Sequence, residues 1–412
     1  MNTVKSLRNP ILALAILLLA TGCSWFGWLP WVDKEEEVDA RASLERIEVE
    51  VDLNREWRRS VGAGLGKKYI TMGPVVLGDR IFAADAFGRV QAFDRFSGER
   101  QWDVRVDRPA RGWFARINPL HRRDYGFVAA LGAGEGMVLV GTMNADLVAL
   151  DAQSGEEKWR RTMSSEVLAR PTVSNGQLYA QTQDGRLAAL SSEDGREIWV
   201  YDTQVPNLTL RGDATPVVRG GAVFAGFATG RIAVFQERNG ELIWDHRVML
   251  PQGRSELARM VDVDAPVLPA SSAVYAASYQ GRLKALRPQD GSVIWERDAS
   301  TNRALVEGRG NIYIVDHNDV VRAIDQRTGE QVWEQRGLLR RNLSSPVAFS
   351  GYLALGDDDG YLHLLSQRDG RFVGRTRVDR RGIRSQPLLA DGVLYVYGNS
   401  GRLAAIQPEP RD

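Results

Sequence analysis

The side chains that most often carry out enzyme chemistry occur in this sequence, but not in catalytic patterns. The four histidines are scattered and lack the spacing of metal ligands: His121, His246, His317 and His363. Cys23 is the only cysteine, which excludes a haem-attachment motif and a cysteine pair. The sequence also has no P-loop and no G-x-S-x-G nucleophile motif. We therefore predict that the chain is not an enzyme and that it holds no metal and no cofactor.

Two charged segments suggest binding chemistry of other kinds. The aspartate run 357–359 before Gly360 has the composition of a calcium loop. It occupies the same place between two strands as Asp184 and Gly185, however, which favours a tight hairpin turn. The segment 111–123 mixes arginines with aromatic residues. It would suit an acidic or nucleic acid partner, although the export signal described below disfavours nucleic acid.

A third group of residues has the composition of a protein-binding site. Leu208 and Leu210 fall on one side of an extended segment beside Arg211, and exposed aliphatic side chains next to an arginine are typical of binding hot spots. Asp262 and Asp264 share one side of another extended segment, because side chains alternate along extended chain. Asp264 could pair with Arg211 or face a basic partner. Two structural alternatives stay open, namely a loop folded into a central channel and an internal salt bridge.

The position of these residues depends on a repeat that runs through the chain. Residues 185–199 (GRLAALSSEDGREIW) are predicted to form a strand, a turn that ends at Gly195, and a second strand that ends at Trp199. Including this one, such units begin at eight places: Gly88, Ala145, Gly185, Gly230, Gly281, Asp319, Gly360 and Gly401. Most units recur after roughly 40–50 residues, the length of one four-stranded propeller blade. The fold is therefore predicted to be an all-β, eight-bladed β-propeller of antiparallel blades.

Each blade, with strands A to D in chain order, is completed by a strand pair upstream of the unit. Strand A usually follows a proline, which a strand tolerates only at its start or edge. These prolines are Pro74, Pro171, Pro216, Pro266, Pro346 and Pro387. The eighth unit stops before its strand D. We predict that residues 52–57, ending in Trp57, supply that strand and close the ring. Residues 44–51 alternate apolar and charged side chains, as a strand does.

The repeated tryptophans are predicted to pack between blades and to carry no chemistry. They end most units, at Trp102, Trp159, Trp199, Trp244, Trp295 and Trp333, and Gly374 takes the seventh place.

One face of the ring is predicted to carry the binding residues. In a four-stranded blade the B–C turns and the D–A connections share a face. The longest D–A connections are residues 104–126, 200–215 and 247–265. Because the last two join neighbouring blades, their side chains can converge, and loops on a rigid scaffold commonly carry function.

The N-terminus is predicted to be an export signal rather than part of the fold. A short basic region precedes an apolar run, residues 11–20, that is too short to span a bilayer. Ala20, Thr21 and Gly22 lie directly before Cys23. This pattern resembles a bacterial lipobox, whose cysteine is lipidated and becomes the first mature residue. Ordinary signal-peptide cleavage beside an incidental cysteine is the alternative.

The resulting domain prediction has three parts. Residues 1–22 are a lipoprotein signal peptide, residues 23–43 a lipid-anchored tether, and residues 44–410 the propeller. Ser24 after the cysteine favours the outer membrane under the sorting rule that the lipobox resemblance implies. The formal net charge of the 412 residues is +1, so no overall field attracts the chain to nucleic acid or acidic lipid.

The repeat unit is similar to the pyrroloquinoline-quinone-type propeller repeat, A-D-G-x-L-x-A-L-D-x-x-T-G-x-x-x-W, which residues 145–159 match. Within that superfamily the whole chain resembles the BamB family of outer membrane protein assembly factors. The matching features are Cys23 with its preceding residues, and the segments 60–66 (SVGAGLG), 208–212 (LTLRG) and 262–267 (DVDAPV). The chain departs from the family in its tether, where residues 24–38 (SWFGWLPWVDKEEEV) include four aromatic side chains, and in its longer first D–A connection.

The resemblance implies a non-catalytic scaffold lipoprotein of the β-barrel assembly machinery, on the periplasmic face of the outer membrane. Such a protein binds the periplasmic domains of the central barrel subunit BamA and assists the folding and insertion of outer membrane proteins, whose unfolded chains are further candidate partners. The family's partner contacts correspond to Leu208, Leu210, Arg211, Asp262 and Asp264.

Two other function classes remain as alternatives. Quinoprotein dehydrogenases share this repeat, but they carry a disulfide between adjacent cysteines and a calcium site, and a single cysteine cannot form the former. A propeller that binds a ligand without any assembly role is the second alternative.

Overall fold

The computed structural model describes residues 40–66, 70–106, 127–210, 214–252 and 254–411. Residues 41–412 form one compact unit. Cys23, Arg211, the segment 111–123 and the predicted signal peptide lie outside the described residues. Within the described part, no helix has the length and apolar character needed to cross a membrane.

The described residues contain 32 strands, which form eight four-stranded sheets with antiparallel pairing. Each sheet is one blade. The predicted all-β, eight-bladed propeller is therefore confirmed.

The strands are assigned to blades as follows. The chain enters through β1 (Val51–Ser60). Blade 1 contains β2 (Val75–Leu77), β3 (Arg80–Ala84), β4 (Arg89–Asp94) and β5 (Arg100–Arg105). Blade 2 contains β6 (Val128–Gly134), β7 (Met137–Thr142), β8 (Asp146–Asp151) and β9 (Glu157–Thr162). Blade 3 contains β10 (Thr172–Ser174), β11 (Gln177–Gln181), β12 (Arg186–Ser191) and β13 (Glu197–Asp202). Blade 4 contains β14 (Val217–Arg219), β15 (Ala222–Phe227), β16 (Arg231–Gln236) and β17 (Leu242–Arg247).

The second half of the ring follows the same plan. A short 3-10 helix, Leu257–Arg259, lies between blades 4 and 5. Blade 5 contains β18 (Leu268–Pro269), β19 (Val274–Ala277), β20 (Gly281–Leu286) and β21 (Val293–Ala299). Blade 6 contains β22 (Val306–Gly308), β23 (Asn311–Val315), β24 (Val321–Asp325) and β25 (Gln331–Gln335). Blade 7 contains β26 (Val347–Phe349), β27 (Tyr352–Gly356), β28 (Tyr361–Ser366) and β29 (Phe372–Arg377). Blade 8 contains β30 (Leu388–Ala390), β31 (Val393–Tyr397) and β32 (Arg402–Pro410), with β1 as its outer strand.

The ring closes through β1, as the position of Trp57 predicted. β1 pairs with β32 in antiparallel register, from Val51 opposite Pro410 to Ser60 opposite Arg402. This pairing gives the last blade its fourth strand and leaves no open seam.

The strand-like interpretation of residues 44–51 is wrong except at its last residue, because β1 starts at Val51. Its partner β32 ends at Pro410, so no strand remains to pair with residues 44–49. This segment lies against blade 7 instead, where Arg375 donates to the carbonyl oxygen of Glu45 at 2.8 Å. The alternation arises because Leu44 packs on the apolar cluster of blades 6 and 7 while Glu45 is exposed.

The tryptophans join neighbouring blades, as predicted. At seven junctions within the described residues, the indole Nε1 donates to a backbone carbonyl of the next blade: Trp57 to Arg95, Trp102 to Ala152, Trp159 to Ser192, Trp199 to Glu237, Trp244 to Pro288, Trp295 to Gln326 and Trp333 to Gln367. A glycine of the next C–D turn faces each ring. At Gly240, for example, a Cβ would lie 2.5 Å from Cδ2 of Trp199. Gly374, in the seventh place, leaves room for the carbonyl oxygen of Val51.

The aspartate run 357–359 lies in the hairpin turn between β27 and β28, as its position predicted. Asp357 is buried and accepts hydrogen bonds from Arg341 Nε at 2.9 Å and from the backbone amide of Tyr361 at 2.8 Å. The carboxylate therefore stabilises the turn.

Candidate functional site

The B–C turns and D–A connections surround the mouth of a central cavity of about 900 Å³. Leu168, Leu210 and Asp264 reach it from D–A connections, while Met143 and His317 reach it from B–C turns. The connection between blades 3 and 4 and the connection between blades 4 and 5 are neighbours on this rim. The structure thus brings the described members of the predicted site together on one face.

The connection from blade 3 to blade 4 presents its two leucines differently. Leu208 is 41% exposed. Leu210 is half-buried and lines the central cavity. The expectation that both leucines face the same way is therefore met only in part: Leu208 points to solvent, whereas Leu210 forms part of the channel mouth. The alternative of a loop folded into the channel describes Leu210 but not Leu208.

A buried aspartate of the next connection holds this loop. The backbone amide of Leu210 donates to Oδ2 of Asp262 at 2.6 Å. Asp262 has no exposed surface. Burial raises the pKa of Asp262 to about 6, and the hydrogen bond from Leu210 only partly opposes this effect. Such an acceptor fixes the loop because an unpaired buried amide would be costly.

The segment around Asp262 is fixed between blades 4 and 5. The amide of Val263 donates to the carbonyl oxygen of Phe227 at 3.2 Å, and the amide of Tyr279 donates to that of Asp262 at 2.9 Å. Gly226 lies directly under Val263, since a Cβ there would be 2.7 Å from Cγ1 of Val263. These contacts make the segment part of the rigid rim rather than a mobile loop.

Asp262 and Asp264 are buried, whereas the sequence suggested that these carboxylates could face a basic partner. Asp264 is 6% exposed and lines the central cavity, and both aspartates border a smaller cavity of about 40 Å³ between the two connections. Gln183 and Ala228, from the B–C turns of blades 3 and 4, line the same smaller cavity, so both aspartates face the protein interior there. Neither carboxylate offers a broad exposed surface to a basic partner in the free chain.

The sequence prediction did not include two further exposed leucines on this face. Leu250 and Leu257 lie in the connection from blade 4 to blade 5, at 56% and 60% exposure. Apolar residues inside a long, polar connection are the signal that could have identified them.

The described part of the chain contains no cluster of three or more His, Cys, Asp or Glu side chains placed to hold a metal. The described histidines have separate surroundings. His246 contacts Lys284, His317 lines the central cavity, and His363 is buried against Asp357.

Comparison with known proteins identifies close similarity over most of the chain. The family profile described as "Outer membrane protein assembly factor BamB" matches residues 86–335 and 317–410. Proteins of the same description from Pseudomonas aeruginosa and Escherichia coli are 40% and 34% identical. The first match covers 95% of this chain and 97% of the relative, and the second covers 94% and 96%.

Solved structures show the same fold at lower identity. The crystal structure of BamB from Moraxella catarrhalis is 24% identical with a TM-score of 0.76, covering 86% of this chain and 100% of that one. A europium-containing methanol dehydrogenase is 14% identical with a TM-score of 0.64, covering 84% of each chain. At such identities the likeness concerns the propeller fold alone.

Proposed function

The chain belongs to the BamB family of outer membrane protein assembly factors, and we propose from this premise that it is a scaffold of the β-barrel assembly machinery. In this role it binds the periplasmic domains of a BamA-type barrel subunit and assists the folding and insertion of outer membrane proteins. Its relatives are named as assembly factors, and the chain is accordingly not an enzyme.

The proposed partner site is the rim formed by the D–A connections between blades 3 and 4 and between blades 4 and 5. The observation that carries it is the exposed Leu208 on a loop that a buried aspartate of the neighbouring connection holds in place. An exposed aliphatic side chain on a fixed loop loses little conformational entropy when it binds, which favours a specific interface.

The five residues have different proposed roles. Leu208 is a contact residue because it is exposed, and Arg211 has the same role because arginine is enriched in binding hot spots. Leu210 and Asp262 are positioning residues, because the hydrogen bond between them fixes the loop. Asp264, which is nearly buried on the cavity wall, shapes the rim beside them.

The proposed location is the outer membrane, on its periplasmic face, with Cys23 as the lipidated first mature residue. The lipobox-like residues before Cys23 support this assignment. A lipid anchor would hold the scaffold beside a membrane-embedded partner without any membrane-spanning helix.

A quinoprotein dehydrogenase is the second candidate, and the observations disfavour it. The methanol dehydrogenase shares the fold at 14% identity only. The disulfide of such enzymes needs two adjacent cysteines, and this chain has one cysteine.

Charge reversal at Arg211 tests the proposed site. Arg211→Glu should abolish co-purification of the BamA-type subunit without altering the melting temperature. Arg238→Glu is the matched control, because Arg238 is exposed in the C–D turn of blade 4 on the opposite face. Full recovery of the partner with Arg211→Glu would refute the site.

A further inference from the structure

The exposed leucines Leu250 and Leu257 lie next to the proposed partner site, and we propose that they form a second contact with the same BamA-type periplasmic domains. This inference rests on the proposed function. It adds residues 250–252 and 254–259, called here the projecting loop, to the interface.

The two ends of the projecting loop meet at the rim. A Cβ on Gly230 would lie 2.6 Å from the carbonyl oxygen of Met249 and 2.8 Å from Cγ2 of Val261. Met260 and Val261 are buried. A segment whose ends are close and whose middle extends outward is a compact surface loop, a type that is frequently functional.

The middle of the loop is exposed but has local structure. Every described residue from Leu250 to Arg259 is exposed. The 3-10 turn is held by the hydrogen bond from the amide of Ala258 to Oγ of Ser255 at 3.1 Å and by that from Arg259 to the carbonyl oxygen of Ser255 at 3.2 Å. The turn therefore presents Leu257 to solvent on an ordered support.

The projecting loop lies beside Leu208. Met249 and Val261 both lie against Gly230. Leu250 directly follows Met249 in the sequence, and Asp262 directly follows Val261. Asp262 in turn accepts the hydrogen bond of Leu210, two residues after Leu208. Since successive Cα atoms are about 3.8 Å apart, the three exposed leucines fit within about 30 Å. One side of a standard interface, about 800 Å², has that diameter.

The exposed groups indicate a folded partner rather than an unfolded chain. Among the described residues, Leu208, Leu250 and Leu257 are the large apolar side chains exposed on this face; the others of that kind lie on outer strands or at Phe96. The projecting loop offers side chains from a helical turn and no unpaired strand edge. Binding by β-augmentation, which would suit an unfolded client, requires such an edge. Because Leu250 and Leu257 lie beside Leu208, we assign them to the same partner as Leu208, the BamA-type periplasmic domains.

The test is a titration of the isolated BamA periplasmic domains against the detergent-solubilised full chain. Leu257→Asp and Leu250→Asp should each raise the dissociation constant at least tenfold. Phe96→Asp should change it less than twofold, because Phe96 is equally exposed, at 64%, but lies in a C–D turn on the opposite face. Unchanged near-ultraviolet circular dichroism would establish that each variant is folded.

Arg211→Glu distinguishes a failure of the proposed Arg211 site from a failure of the projecting-loop contact. Loss of binding with Arg211→Glu and wild-type binding with both leucine variants would overturn this inference and leave the proposed function intact. Wild-type binding with Arg211→Glu but weak binding with the leucine variants would refute the Arg211 site and support the projecting loop. A patch used for self-association would also overturn the inference; in that case Leu257→Asp would dissociate a dimer in sedimentation without changing partner affinity.

Discussion

The backbone amide of Leu210 lies 2.6 Å from Oδ2 of Asp262, a carboxylate without exposed surface. One buried acceptor therefore joins two D–A connections that are about fifty residues apart in sequence. The conformation of the loop that carries Leu208 depends on a residue that cannot itself contact a partner in the free chain.

Removal of this acceptor should weaken partner binding through the loop. Asp262→Ala leaves the Leu210 amide without its acceptor. Below about pH 5, where the carboxyl group is protonated and the variant removes no buried charge, we expect the free energy of unfolding to fall by about 1–3 kcal/mol. Partner affinity should fall more than tenfold. Asp262→Asn keeps an oxygen that can accept the same hydrogen bond and should retain most of the affinity. Titration of the partner against both variants, beside urea unfolding, measures this; equal affinity of the alanine variant and the wild type would contradict the positioning role.

The raised pKa of Asp262 predicts a pH dependence with a defined sign. Its pKa is about 6 in the folded chain, above the ordinary value of 3.8, so the folded state binds the proton more tightly. The stability from this group is complete below about pH 4 and is lost as pH rises through 6. The loss approaches about 3 kcal/mol, since one unit corresponds to about 1.4 kcal/mol.

Urea unfolding of the wild type and of Asp262→Asn between pH 4.5 and 7.5 isolates this effect. The other titrating groups are common to both proteins, so their contributions cancel in the difference between the two free energies of unfolding. The stability of the wild type relative to the variant should decrease as pH rises. A difference that stays constant would show that the pKa of Asp262 is the same in the folded and unfolded chain, and a difference that increases with pH would show that folding lowers this pKa. Either result would contradict the prediction.

The contact between Gly240 and Trp199 can be measured with a paired control. Gly240 and Gly221 have similar positive φ values, 73° and 75°. A Cβ at Gly240 would collide with Trp199, whereas nothing lies within 4 Å of a Cβ at Gly221. Both alanine variants should lose about 1–2 kcal/mol from backbone strain. Gly240→Ala should lose about 1–3 kcal/mol more from overpacking. Equal losses in urea unfolding would mean that the blade junction tolerates the added group.

Replacement of Cys23 tests the lipid anchor. In Cys23→Ala the acyl chains cannot be attached, and the chain should move from the membrane fraction to the soluble periplasmic fraction. Because partner binding alone could retain it, the experiment includes the double variant with Arg211→Glu. Membrane retention of the double variant after a high-salt wash would argue against lipidation.

The repeat allowed the fold to be predicted because its residues make the contacts that define a blade. The tryptophan at the end of one unit packs on the glycine in the C–D turn of the next unit. The spacing of the tryptophans along the sequence therefore gives the positions of the blade junctions. The same reasoning identified β1 from Trp57. The start of β1 was not predictable from the alternation of residues 44–51. That alternation has another cause, because Leu44 packs on blades 6 and 7 without forming a strand.

The site was predictable at the level of the face but not of the individual side chains. Topology alone indicated that the connections with Leu208 and Asp262 are neighbours. Alternation did not predict that Leu210 lines the channel, since residues 203–210 contain no regular strand. Asp262 is buried and lines a small cavity with Gln183 and Ala228, which belong to the B–C turns of blades 3 and 4. Such long-range contacts leave no local pattern in the sequence.

Site-specific photocrosslinking in intact cells tests the central claim most directly. A photoreactive amino acid at position 208 should form an adduct with the BamA-type subunit, whereas the same group at position 96, on the opposite face, should not. The adduct at position 208 should disappear when Arg211→Glu is added. A crosslink from position 96 and none from position 208 would contradict the assignment of this rim as the partner site.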